Sequence, residues 1–138
     1  YKALVKLHED GLVEQEIQYQ ESLPPKKIYT ITDAGRAALK QWVMSAPQLP
    51  EFHDAFLVQL AWAELLDAAE LDGLLARYEE EIHVQYQMQI VKANRKEDYP
   101  DRTSRESYLW EMISKNIVST YANELAWIRE LREGLKRF

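Results

Sequence analysis

The sequence predicts a mainly α-helical chain with one small β-hairpin, in which a short N-terminal domain is followed by a longer helical one. Three observations carry this. The stretch Ile28-Tyr29-Thr30-Ile31-Thr32-Asp33-Ala34-Gly35 runs four β-prone residues straight into a helix start. A second strand candidate, residues 12–19, stands before it across a loop that contains Pro24-Pro25. From Trp110 to Leu135, apolar residues then recur at three- and four-residue steps, the period of a long amphipathic helix.

Taken in order, residues 1–10 read as a helix with Tyr1, Leu4, Val5 and Leu7 on its apolar side and Lys2 and Lys6, four apart, on another face. Gly11 is placed to take the left-handed conformation that closes a helix. Val13, Ile17 and Tyr19 fall on one face of the first strand, residues 20–27 form a loop with Lys26-Lys27 as a basic tip, and residues 28–31 are the returning strand. Thr32 is a good N-cap, because its hydroxyl accepts from a free N–H of the first turn, and Asp33 puts a carboxylate at the positive end of the helix dipole. Gly35 inside that helix costs about 1 kcal/mol relative to Ala. The expected return is a close approach of the first turn to neighbouring backbone. Helix, strand, loop, strand and capped helix make the second half of a winged helix-turn-helix.

Pro47 and Pro50 mark a linker or turn. A helix is expected over residues 51–66, and Asp67 is placed to cap another that runs from Ala68 towards Asp98. Residues 82–90 alternate strictly, which alone is a strand signal, but neither Gly nor Pro punctuates residues 74–99, so the helix is expected to continue through them. Residues 97–104 read as a loop, with Ser104 capping a last helix over 105–136. That helix is too apolar for one chain of this size to cover. A homodimer interface is therefore expected on Ile117, Tyr121, Leu125, Ile128 and Leu131, with help from the 68–98 helix.

Composition narrows the function. Apolar residues at 46% and charged residues at 29% describe a soluble globular protein, which disfavours disorder and a membrane partner. The longest apolar stretch, residues 55–66, is interrupted by Gln59 and Glu64 and is too short to span a bilayer. The absence of cysteine excludes disulfides and thiolate metal sites and is compatible with the cytoplasm. Glu80 and His83 form half of a di-iron helical motif, but no second copy exists, so no metal, no cofactor and no enzymatic activity are expected. The chain begins at Tyr1 without Met, inside what reads as a helix, and is expected to be a fragment.

The residues also carry a resemblance. The segment from Tyr1 to Val13 resembles the recognition helix and the start of the wing in PadR-family transcriptional regulators, and Lys27 to Gly35 resembles that family's wing return and next helix. The later helices resemble the Vir-type C-terminal domain of its longer members. The wing tip, Ser22-Leu23-Pro24-Pro25-Lys26-Lys27, lacks the glycine and arginine often seen there. The resemblance implies a partial winged-helix DNA-binding domain over residues 1–45 and a helical dimerisation and effector domain over 46–138. It implies a ligand-responsive repressor that acts as a homodimer on a palindromic operator of double-stranded DNA. The first two helices of the DNA-binding domain are not in this chain, so specific operator binding is expected of the full-length protein only.

DNA contacts are expected from Tyr1, Lys2, Lys6, Lys26 and Lys27. The basic footprint is thin, since residues 1–45 carry six Lys/Arg and six Asp/Glu, while residues 46–138 are net −6. Ordinary surface lysines are the competing reading, and a helical interaction module without DNA binding is the competing function. A small aromatic or phenolic effector is expected in an apolar cleft lined by Leu57, Ala61, Trp62 and Trp127, with His53 near the Pro47–Pro50 hinge supplying a polar atom.

Overall fold

The computed structural model describes residues 2–20, 23–50, 54–96, 100 and 102–138. The chain forms two compact units, Tyr1–Phe52 and His53–Phe138. The first contains α1 (Lys2–Glu9), β1 (Val13–Gln18), β2 (Lys26–Ile31) and α2 (Asp33–Val43). The second contains α3 (Ala55–Ala61), a 3-10 turn (Ala63–Leu65), α4 (Ala68–Arg95) and α5 (Ser104–Leu135).

In the first unit, α1 ends in a Schellman arrangement. Gly11 has φ +71°, its N–H donates to the His8 carbonyl at 3.0 Å, and Leu12 N–H donates to the Leu7 carbonyl at 2.8 Å. The chain leaves directly into β1, which pairs antiparallel with β2 from Val13 opposite Ile31 to Gln18 opposite Lys26. Lys26 and Lys27 therefore belong to the ladder and not to the loop tip, where the sequence reading put them. Tyr29 Oη donates to Gln15 Oε1 at 2.9 Å across the two strands.

The base of the hairpin is locked by Thr32. Its hydroxyl accepts from Gly35 N–H at 3.0 Å and donates to the Gly11 carbonyl at 2.8 Å. Its own N–H donates to the Leu12 carbonyl at 3.1 Å. A β-carbon on Gly35 would overlap that same Leu12 oxygen and crowd Ile31. The close backbone approach expected of this glycine is present, and it ties the start of α2 to the turn that ends α1.

In the second unit α4 and α5 form an antiparallel hairpin, in which Asp72 meets Arg132, Tyr78 meets Glu124 and Glu79 meets Arg129. The alternating segment 82–90 is helical, because the N-capped run from Asp67 has no break before Lys96. Asp67 and Glu70 close a reciprocal capping box at 2.8 and 3.0 Å. Lys96, at φ 52°, ends the helix three residues after Ala93, short of the expected Asp98. Thr103 rather than Ser104 caps α5, accepting from Glu106 N–H at 3.1 Å. The helix expected over 51–66 is shorter, since Asp54 caps α3 and the chain tightens into a 3-10 turn after Trp62.

Phe56 on α3 fills the angle between the long helices. Its ring stacks on Tyr78 at 3.6 Å and 4°, and meets Trp127 edge-on at 6.3 Å and 85°. Leu75 and Ile128 are fully enclosed beneath it, and Leu125 completes the core. That cluster runs from Leu71 to Tyr86 on α4 and from Leu125 to Leu135 on α5. Towards the other end of the hairpin, Val84, Met88 and Val91 on α4 and Met112, Ile113 and Ile117 on α5 remain exposed.

The Thr32 joint makes a measurable prediction. Thr32→Ala removes a helix cap and should cost about 1 kcal/mol, so amide exchange at Leu12 and Thr32 should be about fivefold faster. Gly35→Ala should cost more, about 2 kcal/mol, because backbone must shift to admit the methyl. Unchanged exchange in both variants would show that the joint does not hold the hairpin.

Candidate nucleic-acid interface

The first unit presents its cations from two elements. Lys2 and Lys6 stand one helical turn apart on α1, in a shallow depression with Val5, Glu9 and Asp10. The helix is exposed along its whole length. His8 Nδ1 lies 3.0 Å from the Val13 carbonyl and fastens the C-terminal end of α1 to β1. Lys26 and Lys27 follow each other on β2, so their side chains leave opposite faces of the hairpin. None of these four lysines forms an ion pair with a described residue. The structure thus joins Lys2 and Lys6 on one face and separates Lys26 from Lys27. Tyr1 lies outside the described residues.

The residues expected to bind an effector are not gathered into one cleft. Trp62 lines a cavity between the end of α3 and the start of α4, whereas Trp127 lines another depression near the C-terminal end of α5 and packs against Phe56. Leu57 and Ala61 are exposed on α3, and neither lines the Trp62 cavity. His53 lies outside the described residues. The shared cleft fails because α3 spends its inward face on Phe56, which turns Trp127 into a core contact. Gly73 and Arg77, which the sequence reading passed over, do line the Trp62 cavity. A glycine inside a helix was the available signal.

The residues expected at a dimer interface also divide. Ile117 is exposed and Tyr121 half-buried. Leu125 and Ile128, at 5% and 0% exposure in the single chain, are core residues of this unit and offer no surface to a partner. Leu131 packs partly against the same core. The periodicity of α5 predicts one continuous apolar surface, but α3 and α4 cover its second half.

Beside that core lies a charge cluster that periodicity does not reveal. Glu79 accepts from Arg129 Nε at 2.8 Å and from Arg132 Nη1 at 2.6 Å, and Arg132 also reaches Asp72 at 3.0 Å. The hydrogen bond from Arg129, then that from Arg132, holds the Glu79 carboxyl below its ordinary pKa. Tyr78 Oη donates to Glu124 Oε1 at 2.7 Å, and burial, followed by that hydrogen bond, pushes the phenol above its ordinary range. These bonds fix the register of α4 on α5. Among the described residues, no group of three His, Asp or Glu side chains is arranged to hold a metal ion, and no helix is long and apolar enough to cross a membrane.

A helix joined through a glycine turn to a two-stranded wing and a capped helix, with a helical hairpin unit beyond, defines a winged-helix transcription regulator. Residues 1–41 match the transcriptional regulator PadR-like family, and residues 52–136 match the virulence activator alpha C-terminal domain. The chain belongs to the PadR-like transcriptional regulators that carry this C-terminal domain, a family of regulators and not of enzymes.

Solved structures agree in fold. Bacillus subtilis PadR in complex with operator DNA superposes with a TM-score of 0.78 at 18% identity, over 95% of this chain and 74% of that one. The same protein in complex with p-coumaric acid gives 0.73 at 20% identity, over 95% and 73%. The Vibrio cholerae virulence activator AphA gives 0.71 at 23% identity, over 99% and 76%. No curated protein sequence matches the chain.

The Glu79 cluster sets a pH dependence with a definite sign. A carboxyl whose folded pKa is depressed stabilises the fold fully above its unfolded value, and this is lost as pH falls through the folded value. From about pH 5 downward, the melting temperature of wild type should therefore fall more steeply than that of Glu79→Gln. Parallel acid profiles for the two would remove Glu79 as a source of the acid sensitivity.

Proposed function

We propose that this protein is a DNA-binding transcriptional repressor that acts in the cytoplasm as a homodimer on a palindromic operator and responds to a small aromatic effector. The observation that carries the DNA reading is the joint at Leu12, Thr32 and Gly35. It makes α1, the hairpin and α2 one body and leaves Lys2, Lys6, Lys26 and Lys27 unpaired among the described residues. In this reading residues 1–45 belong to the DNA-binding domain and residues 46–138 to the dimerisation and effector domain. The helix α1 enters the major groove, and the lysines, with Tyr1, meet the backbone and set register without reading bases. The likeness in fold to PadR in complex with operator DNA supports this, and the complex of that protein with p-coumaric acid supports an effector of the aromatic class. An effector acts only through different affinity for two conformations.

The dimer reading rests on the apolar half of the hairpin that the core leaves uncovered. Its interface runs over Ile117 and Tyr121, with Met88, Met112 and Ile113 beside them, and excludes Leu125 and Ile128. Two-fold symmetry presents two recognition helices to two half-sites. The lack of net positive charge over residues 1–45 favours the competing reading, a helical interaction module without DNA binding, and salt dependence separates the two.

Duplex affinity of the full-length protein should fall steeply with salt, and each phosphate-contacting lysine contributes about 0.9 to the log–log slope. Lys2→Ala and Lys6→Ala should each lower the slope by about that amount. No duplex binding, or binding that ignores salt, would favour the interaction module. In sedimentation, Met88→Glu with Ile117→Glu should give monomers that keep their helical circular dichroism, whereas Leu125→Glu should unfold the helical unit. A dimer that survives the double variant places the interface elsewhere.

A further inference from the structure

The two faces of the hairpin differ in charge. Side chains directly opposite each other in an antiparallel ladder share a face. The register therefore puts Glu14, Glu16 and Lys26 on one face, and Gln15, Ile17, Lys27 and Tyr29 on the other. Neither Glu14 nor Glu16 forms an ion pair with a described residue. Two open carboxylates disfavour close approach of a phosphate backbone, so the Lys27 face is the one that can lie against a groove.

On that face Gln15 is the group equipped to read bases. Tyr29 Oη donates to its Oε1 at 2.9 Å, which turns the amide oxygen towards Tyr29 and leaves Nε2 as the open end. Among the described residues none accepts from Nε2, and that nitrogen is not buried. The half-buried Gln15–Tyr29 pair stands between Val13 opposite Ile31 at the covered base and Ile17 opposite Lys27 at the exposed end. The amide is thus oriented before any duplex arrives. The loop beyond the ladder points to the kind of groove. Its described residues, Tyr19, Gln20, Leu23, Pro24 and Pro25, are exposed and uncharged, and Glu21 lies outside the described residues. Leu and Pro at such a tip are side chains that minor-groove proteins lay against base steps.

We propose that Gln15 is a specificity-determining residue, donating from Nε2 to adenine N3 or thymine O2 in the minor groove, so that the wing prefers A·T pairs. In that groove A·T and T·A offer only acceptors, whereas G·C adds the guanine N2 amino donor. An amide nitrogen held outward by Tyr29 pairs with the first and opposes the second. Tyr29 is a positioning residue, since it acts through the amide it orients. Lys27, the next residue along the same face, supplies a phosphate contact without base preference. With α1 in the major groove, the hairpin fastened to its C-terminal end meets the neighbouring minor groove. The inference deepens the DNA reading above and rests on it.

The test uses the full-length protein and a random-sequence duplex pool, from which bound duplexes are selected and sequenced. Wild type should enrich A·T pairs at positions flanking the major-groove contacts. Gln15→Ala should lose that enrichment and keep the major-groove positions. On a selected duplex, exchanging the wing A·T pair for G·C should weaken wild type about tenfold. Inosine·C, which lacks the N2 amino group, should restore binding, and diaminopurine·T, which adds one, should weaken it as G·C does. Tyr29→Phe frees the amide to turn round, so it should hold A·T affinity within about twofold and narrow the gap to G·C. Enrichment of A·T that survives Gln15→Ala comes from duplex shape and overturns the proposal. Equal binding of diaminopurine·T and A·T by wild type overturns it as well. Salt-dependent duplex binding without base preference at the wing removes the role of Gln15 and keeps the regulator, whereas absence of duplex binding removes both.

Discussion

The Leu12 carbonyl is the point on which the N-terminal unit turns. It accepts from Thr32 N–H and occupies the space that a β-carbon of Gly35 would need. Two elements far apart in sequence thereby meet backbone to backbone, without side chains between them. A hairpin of two six-residue strands is marginal alone in water. Here the Schellman turn of α1 and the cap of α2 meet at the base of the hairpin, where Val13 faces Ile31, and Thr32 takes part in both closures. The orientation of the wing relative to α1 follows from that arrangement, and with it the spacing of the cations the two elements present.

The helical unit solves a different problem. Two long helices joined by a short connection form an antiparallel pair, but a pair has no enclosed interior. The seven-residue α3 supplies the third wall, and Phe56 is the side chain that reaches in. Because α3 is short, the enclosed core extends over only part of the hairpin. The polar bonds at its edge, Tyr78 to Glu124 and Glu79 to the two arginines, select one register out of several that apolar packing alone would tolerate. The remaining apolar surface is then available to a partner, in keeping with a dimerising unit.

Charge is divided between the units in the way a regulator needs. The acidic helical unit has Arg129 and Arg132, at the edge of its core, tied to carboxylates, while the first unit keeps its lysines without ion pairs among the described residues. Free cations on a rigid body can approach phosphate.

Much of this was determined by the sequence alone, wherever the interaction is local. Gly11 closing α1, Thr32 capping α2, Asp67 capping α4 and the helical continuation through residues 82–90 all depend on neighbours a few positions away, and each is found as read. Gly35 was legible for a related reason, since a costly glycine in a first turn points to close backbone contact. The assignment of faces was not legible. An apolar stripe on α5 looks the same whether α3, α4 or a second chain covers it, because periodicity reports burial and not the identity of the cover. Only the tertiary structure could assign Leu125 and Ile128 to the core, part Trp62 from Trp127, and place Lys26 and Lys27 within the ladder.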